Sequence, residues 1–116
     1  MELLFRDSAV ADIHTFVAHY EESFVGLYSD SGIWSERIIL EGIRMNGKQL
    51  FRDIYDSVGS FLAQTPVIGR KKVSKGGYVV YIHVGSRLVV AHYSEDKREN
   101  TRWVESISIG RKPIIF

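Results

Sequence analysis

The sequence has no cysteine among its 116 residues, and this absence removes several chemistries at once. Disulfide bonds, zinc sites built on thiolates and cysteine nucleophiles are all excluded. No apolar run approaches the roughly 18 residues that a membrane span needs, and residues 1–8 lack the apolar core of a cleavable leader. We therefore expect a cytoplasmic protein that does not bind a membrane.

The composition is that of an ordinary globular protein, with 45% hydrophobic and 25% charged residues. A chain of this length buries roughly two thirds of its unfolded surface as one domain, so we expect a single domain over residues 1–116. His14 and His19 lie five residues apart, about 140° around a helix, and cannot converge on one metal ion. The expectation is a protein with neither a metal nor a cofactor.

Charge is distributed unevenly along the chain. Residues 1–63 carry a net charge of −5, whereas residues 64–116 carry +6, although the whole chain has a net charge of only +1. Such asymmetry between halves points to a charged partner, most often a nucleic acid. The alternative is a basic surface that is merely solvated.

The first half of the chain has the pattern of helices. Residues 2–6 are typical of a short edge strand, and Asp7 and Ser8 offer an N-cap for a first helix. The glycines and serines of residues 26–32 predict a loop. A second helix is predicted from about Ser35 to the residues before Pro66.

Two glycines weaken the middle of that second helix. Gly42 and Gly47 each cost about 1 kcal/mol relative to alanine in a helix interior. The segment is therefore either one long helix or two helices broken near Gly47.

In the second half the apolar period changes to two, which predicts strands. A two-residue loop with glycine first, Gly85-Ser86, suits a type II′ turn and joins two strands into a hairpin. Residues 94–100 form a charged loop. The predicted strands are residues 67–74, 78–84, 87–93 and 103–109. The expected fold is α+β, with a two-helix hairpin on one face of a small antiparallel sheet that includes an extra C-terminal strand.

The hairpin turn also fixes which side chains share a face of the sheet. With Gly85-Ser86 as the loop, one face carries the more apolar set and is assigned to the helices: Tyr78, Val80, Ile82, Val89, Ala91 and Tyr93. The other face carries Tyr81, His83 and His92, and we expect it to be open. A slip of one residue would reverse every assignment.

Three segments resemble the RelE/ParE superfamily of toxins from type II toxin–antitoxin systems. DSAVADIHTFVAHY resembles the family's first helix, FLAQTPVIGRKK the end of its second helix, and GGYVVYIHVGSRLVVAHY its hairpin. The resemblance covers roughly residues 2–93. The chain departs from the family in a longer loop at residues 23–34 and in about 23 residues beyond its usual last strand.

The resemblance implies two kinds of activity. RelE-like members cut messenger RNA on the ribosome without a metal, and ParE-like members poison DNA gyrase. It also implies a cognate antitoxin, which would dock on residues 114–116 or in a groove beside the helices. A third possibility is a non-catalytic binding module of the same fold, because fold does not fix function.

For the ribonuclease alternative, the resemblance implies basic residues on the second strand and a histidine at the end of the hairpin. Metal-free cleavage needs a base, an acid and fixed cations. The candidate catalytic residues are His92, His83, Arg70 and Lys72, expected on a shared face. The candidate nucleic-acid contacts are Lys71, Lys75, Arg87, Arg98 and Arg102. A half-buried strand histidine without a catalytic role is the alternative for His92, and simple solvation is the alternative for Arg98 and Arg102.

Overall fold

The structure is a computed structural model. It describes the backbone of residues 1–29 and 36–111 and the side chains of residues 1–22 and 41–110. In this part of the chain two helices and a five-stranded mixed sheet form an α+β fold. The elements are β1 (Glu2–Phe5), α1 (Asp7–Ser29), α2 (Glu36–Leu62), β2 (Lys71–Lys72), β3 (Tyr78–Val84), β4 (Arg87–Asp96) and β5 (Thr101–Arg111).

The sheet has the order β1-β5-β4-β3-β2, with β1 parallel to β5 and every other pair antiparallel. The expectation of a wholly antiparallel sheet is wrong for this edge. Strands joined by tight turns pair antiparallel, but β1 reaches β5 only after both helices have intervened. The expected edge strand at the N-terminus and the extra C-terminal strand are both present.

Both helices pack on one face of this sheet. The interior is made almost entirely of apolar side chains that α1, α2 and the three central strands direct toward one another. At its centre are the fully buried side chains Ile13, Ile54, Val58, Leu62, Val80, Val89, Tyr93 and Val104. Within the described residues, α1 and α2 cover only this face and nothing covers the opposite one, which is called the open face.

The helices are longer than the glycine pattern predicts. Helix α1 continues to Ser29, so residues 26–29 of the predicted loop are helical. Helix α2 runs unbroken through Gly42 and Gly47, which settles the choice between one helix and two. Packing of the buried face compensates for the low propensity of glycine. The rest of that loop, residues 30–32, and the apolar residues 114–116 lie outside the described residues.

The predicted β3–β4 hairpin is confirmed in its turn and its register. Tyr78 pairs with Tyr93 and Val84 with Arg87, and Gly85 has a φ of 60°. A positive φ at the first turn residue is what glycine supplies at no steric cost. The assignment of the two faces is therefore confirmed as well.

Strand β5 contains a bulge that the predicted alternation over residues 103–109 does not include. His92 pairs with Ser106 but Tyr93 pairs with Val104, so Glu105 is an extra residue. Alternation alone would place Trp103, Glu105 and Ile107 on one face. Instead the bulge leaves Glu105 on the open face, where it bonds Ser94, while Ile107 is buried in the core.

Beyond the end of β1, side chains of α1 form hydrogen bonds with backbone groups at the edge of β5. The Ser8 hydroxyl donates to the carbonyl oxygen of Glu105 at 2.7 Å, and Asp12 accepts from the backbone N–H of Ile107 at 2.8 Å. Ser8 therefore ties the first helical turn to the sheet and does not act as the expected N-cap. These bonds fix α1 against β5.

Arg102 joins the sheet to the end of α2. The residue is 3% exposed, and its side chain donates to the carbonyl oxygens of Leu62 and Gln64, the second at 3.1 Å. Its other terminal nitrogen lies 3.4 Å from Glu95. Carbonyls at a helix C-terminus lack intrahelical partners and carry partial negative charge, so a guanidinium satisfies them well.

Replacing Arg102 should therefore destabilise the protein strongly. We expect Arg102→Ala to lower the free energy of unfolding by about 3–5 kcal/mol, because the carbonyls of Leu62 and Gln64 lose their buried donor and Glu95 keeps only Arg70. Urea unfolding followed by circular dichroism measures this change. The matched control is Arg98→Ala in the exposed loop, expected within about 0.5 kcal/mol of the parent. Equal stability of the two variants would contradict the assigned role of Arg102.

Candidate nucleic-acid interface

The open face of the sheet brings together only part of the predicted site. His92 and Tyr81 lie there by the confirmed register, and Lys71 joins them because it pairs with Val79. The Lys71 ammonium lies 5.6 Å from the centre of the Tyr81 ring. Tyr81 is 48% exposed, so about half of its surface is accessible to a ligand and is not packed against the protein.

Arg70 and Lys72 lie on the other side of the sheet from His92. Lys72 pairs with Tyr78, whose side chain faces the helices, and the Arg70 guanidinium stacks 4.5 Å above the Tyr78 ring. The expectation that these two cations share a face with the histidines is wrong. The physical reason is alternation: moving by one residue along β2 reverses the face, and β2 begins only at Lys71.

His83 is on the same face as His92 but far from it. His92 pairs with Val79, and His83 lies four residues farther along β3, about 13 Å away at 3.3 Å per residue. A phosphodiester touched by one imidazole cannot be touched by the other. His83 therefore does not complete an acid–base pair with His92.

His92 is held in one orientation by the turn before β3. Its Nε2 lies 3.2 Å from the carbonyl oxygen of Gly76, which can only accept a hydrogen bond. Nε2 must then carry a proton, so in the neutral ring Nδ1 keeps its lone pair and is a potential base. Gly77 allows this contact, because a Cβ there would lie 3.0 Å from Nε2 and 2.6 Å from the carbonyl oxygen of Tyr93.

The bulge places a polar cluster beside His92 that the sequence did not indicate. Ser94 donates to Glu105 at 2.6 Å, and Arg6 forms an ion pair with the same carboxylate at 3.3 Å. Arg6 also lies 3.9 Å above the Trp103 ring. Ser106, which pairs with His92, is exposed at the same place. The available sequence signal was only the break in apolar alternation after Glu105.

The remaining predicted contacts have different surroundings. Lys75 and Arg98 are exposed in turns, as a phosphate contact requires. Arg87 packs on the helical side, 5.7 Å from the Phe16 ring and 5.4 Å from the Tyr20 ring. Arg102 is buried, so it is neither solvated nor free to meet a phosphate.

The segment of chain that carries His92 is basic, and the carboxylate of Glu105 beside it on the open face is paired with Arg6. Residues 57–94 contain five lysines and arginines and no aspartate or glutamate. The open-face site at His92 lies within this stretch, as do Lys71 and Lys75. An extended polyanion bound along β2 and β3 would meet the cations of residues 57–94 and no acidic residue from that segment of the protein.

Arg70 belongs to a structural network on the helical side. It forms an ion pair with Glu95 at 3.0 Å, and the same carboxylate meets Arg102. Tyr93 is fully buried and stacks on Tyr78 with ring centres 5.4 Å apart. Its hydroxyl has no hydrogen bond of normal geometry among the described residues. Arg70 approaches it as a donor, and this interaction raises the pKa of Arg70 above its usual value.

Burial makes the contribution of Tyr93 to the stability of the fold dependent on pH. Loss of solvent raises the pKa of Tyr93 above its ordinary value of 10.0, and Arg70 opposes this only in part. In the folded protein Tyr93 therefore keeps its proton at a pH where the unfolded chain loses it. This contribution to stability is full below pH 10 and is lost as the pH rises through the folded pKa.

We expect the free energy of unfolding of Tyr93→Phe to fall less steeply with pH above 10 than that of the parent, because the ionisable group is gone. Urea midpoints between pH 8 and 11 measure the slope. Tyr81→Phe, on the exposed ring, is the matched control and should keep the slope of the parent. A parent-like slope in Tyr93→Phe would show that other groups cause the alkaline loss.

Within the described residues, no group of three or more histidine, aspartate or glutamate side chains is placed to hold a metal ion. None of the described helices combines the length and apolar character needed to cross a membrane. Comparison of the chain with protein-family models, with curated proteins and with solved structures found no match in any of the three.

Proposed function

We propose that this chain is a growth-inhibiting toxin with a RelE/ParE-like fold, whose open sheet face binds messenger RNA on the ribosome and cleaves it without a metal. The observation that carries the proposal is the grouping of His92, Lys71 and Tyr81 on an uncovered face, in a stretch of chain without acidic residues. The three segments that resemble the family support it. The protein would act in the cytoplasm and be neutralised by a cognate antitoxin.

RNA differs from DNA by its 2′-hydroxyl, and that hydroxyl supplies the nucleophile. Nδ1 of His92, with its lone pair fixed by the Gly76 contact, removes the 2′ proton. The 2′ oxygen then attacks phosphorus, the bond to the 5′ oxygen breaks, and water protonates the leaving oxygen. The products are a 2′,3′-cyclic phosphate and a 5′-hydroxyl.

Lys71 and Tyr81 position the RNA in this proposal. The Lys71 ammonium is a point charge that offsets the charge developing on the phosphate oxygens. The exposed Tyr81 ring is a platform for an unpaired base, and stacking of this kind contributes about 1–3 kcal/mol per base. Tyr81 lies diagonally from His92 across β3 and β4, about 7–8 Å away, close to the spacing of adjacent nucleotides.

The proposal predicts different effects at the two open-face histidines. His92→Gln should abolish RNA cleavage and growth arrest, because glutamine can still donate to Gly76 but cannot act as a base near neutral pH. His83→Gln should keep both activities, since His83 lies too far from the reacting phosphate. The measurements are growth after induction and cleavage of RNA by the purified protein.

The outcomes separate the alternatives. Full toxicity of His92→Gln would overturn the ribonuclease mechanism, and gyrase–DNA cleavage complexes would then support the ParE-like alternative. Absence of any toxicity in the parent chain would indicate a non-catalytic binding module.

Binding should follow the charges on the two faces. We expect Lys71→Gln to weaken RNA binding and to reduce its dependence on salt by about one counterion, because each phosphate contact releases roughly one cation. Arg87→Gln, a change of the same charge on the helical side, should leave the salt dependence unchanged. Fluorescence anisotropy with a labelled single strand between 50 and 200 mM salt measures both. Parent-like behaviour of Lys71→Gln would contradict binding at the open face.

A further inference from the structure

The edge of the sheet next to the short strand β2 is left without a neighbouring strand over most of β3. Strand β2 pairs with β3 only at Lys71 and Lys72, which lie opposite Val79 and Tyr78. Within the described residues, residues 80–84 of β3 therefore have β4 on one side and no strand on the other. A free strand edge of this kind is a template for a further strand.

The backbone groups that point outward along this edge belong to Tyr81 and His83. In an antiparallel ladder alternate residues direct both their N–H and their C=O to the same neighbouring strand. The N–H of Val73 donates to the carbonyl oxygen of Gly77 at 3.1 Å, so every second residue from Gly77 onward points toward the β2 side. Among the described residues, no backbone hydrogen bond reaches Tyr81 or His83 from that side. Each of them therefore offers one N–H and one C=O to a partner.

The sequence of this edge is nearly symmetric about Ile82. Residues 80–84 read Val-Tyr-Ile-His-Val, with the same apolar residues in both directions and a planar ring at each position between them. Val80 and Ile82 are buried on the helical side, whereas Tyr81 and His83 are exposed on the open face. A second copy laid antiparallel, with Ile82 opposite Ile82, would place Tyr81 opposite His83 in two identical pairs.

Only this register joins all the outward groups to one another. Each pair of Tyr81 and His83 exchanges two N–H···O bonds, so the two pairs give four hydrogen bonds. A register centred on Tyr81 would bring His83 against Val79, whose outward groups already pair with Lys71. A register centred on His83 would bring Tyr81 against Gly85, which has a φ of 60° and belongs to the turn.

The composition of this edge favours a second copy over a charged strand of another protein. Residues 80–84 contain no lysine, arginine, aspartate, glutamate or proline, and their pairing with β4 contains no bulge. Those are the devices that keep strand edges apart. An extended segment rich in charge would find no countercharge among these side chains. In the symmetric pairing Val80 meets Val84 on one face and the rings meet on the other, and cross-strand pairs of this kind contribute about 0.2–1 kcal/mol each.

We infer that two copies of this chain pair through residues 80–84 of β3, antiparallel and centred on Ile82. The two-fold axis is perpendicular to the sheet, because side chains that lie opposite each other in an antiparallel ladder point to the same face. The five strands of each copy then form one continuous sheet with both open faces on the same side. The inference does not depend on RNA cleavage, because His92 lies on β4 and stays uncovered by the pairing.

Sedimentation equilibrium of the full chain at increasing concentration measures the association. A pairing of two short strands is a small interface, so we expect a reversible dimer with a dissociation constant on the order of 10 μM. Amide hydrogen exchange locates the contact. The N–H groups of Tyr81 and His83 should exchange more slowly as the concentration rises, whereas that of Ile82, which points to β4, should change little.

Variants test the register. Tyr81→Lys combined with His83→Lys places like charges directly opposite each other in both pairs and should weaken association by at least about tenfold. Tyr81→Glu combined with His83→Glu should do the same. An equimolar mixture of the two double variants should associate again, because each lysine then faces a glutamate.

The control is His83→Gln, which adds no charge and should associate as the parent does. Both positions are exposed, so the double variants should keep the fold, and circular dichroism of each variant checks this.

Four results would overturn the inference. They are a parent chain that stays monomeric at about 1 mM, a dimer that the double lysine variant leaves unchanged, a mixture of folded double variants that does not associate, and exchange protection that grows on β1 or β5 instead. A monomeric parent would leave the edge to an extended segment of another protein.

Discussion

The buried guanidinium of Arg102 is the interaction on which the arrangement of both faces depends. It satisfies the C-terminal carbonyls of α2 and holds one oxygen of Glu95, whose other oxygen holds Arg70. Arg70 precedes β2, a strand of only two residues that ladder hydrogen bonds alone would hold weakly. The turn after β2 carries Gly76, which orients His92. A charge on the helical side is thus connected, through Glu95, Arg70 and β2, to the turn that contacts His92 on the open side.

This connection explains why the basic cluster of β2 has two roles. Arg70 contacts Glu95, the Tyr78 ring and the Tyr93 hydroxyl, whereas Lys71, the next residue, faces the open side beside Tyr81. Adjacent cations of the same sequence run therefore serve stability and the proposed binding separately. Both side chains are exposed, so their partners and not their burial distinguish the two cations.

The parts of the fold that were predictable from sequence are those with local causes. The Gly85-Ser86 turn determines the register of β3 and β4, because a two-residue turn pairs the residues on either side of it, Val84 and Arg87. The position of Arg102 was not predictable, since its partners Leu62 and Gln64 are about 40 residues away in the chain. The bulge at Glu105 and the parallel pairing of β1 also depend on distant segments. For the site, the side of the sheet on which His92 lies could be predicted from the turn. The sides of Arg70 and Lys72 could not, because they depend on where β2 begins.

The parallel pairing of β1 with β5 has a consequence for how the chain closes. Glu2 pairs with Thr101, so this contact joins residues about 100 positions apart and closes a loop that contains almost the whole chain. Two helices and a hairpin can assemble from neighbouring segments, but the strand at the N-terminus has to wait for a partner from the far end. Removal of those few residues would uncover the backbone N–H and C=O groups of β5 from Thr101 to Val104. Such a row is a template for strands of neighbouring chains, so the short β1 shields that part of the sheet edge.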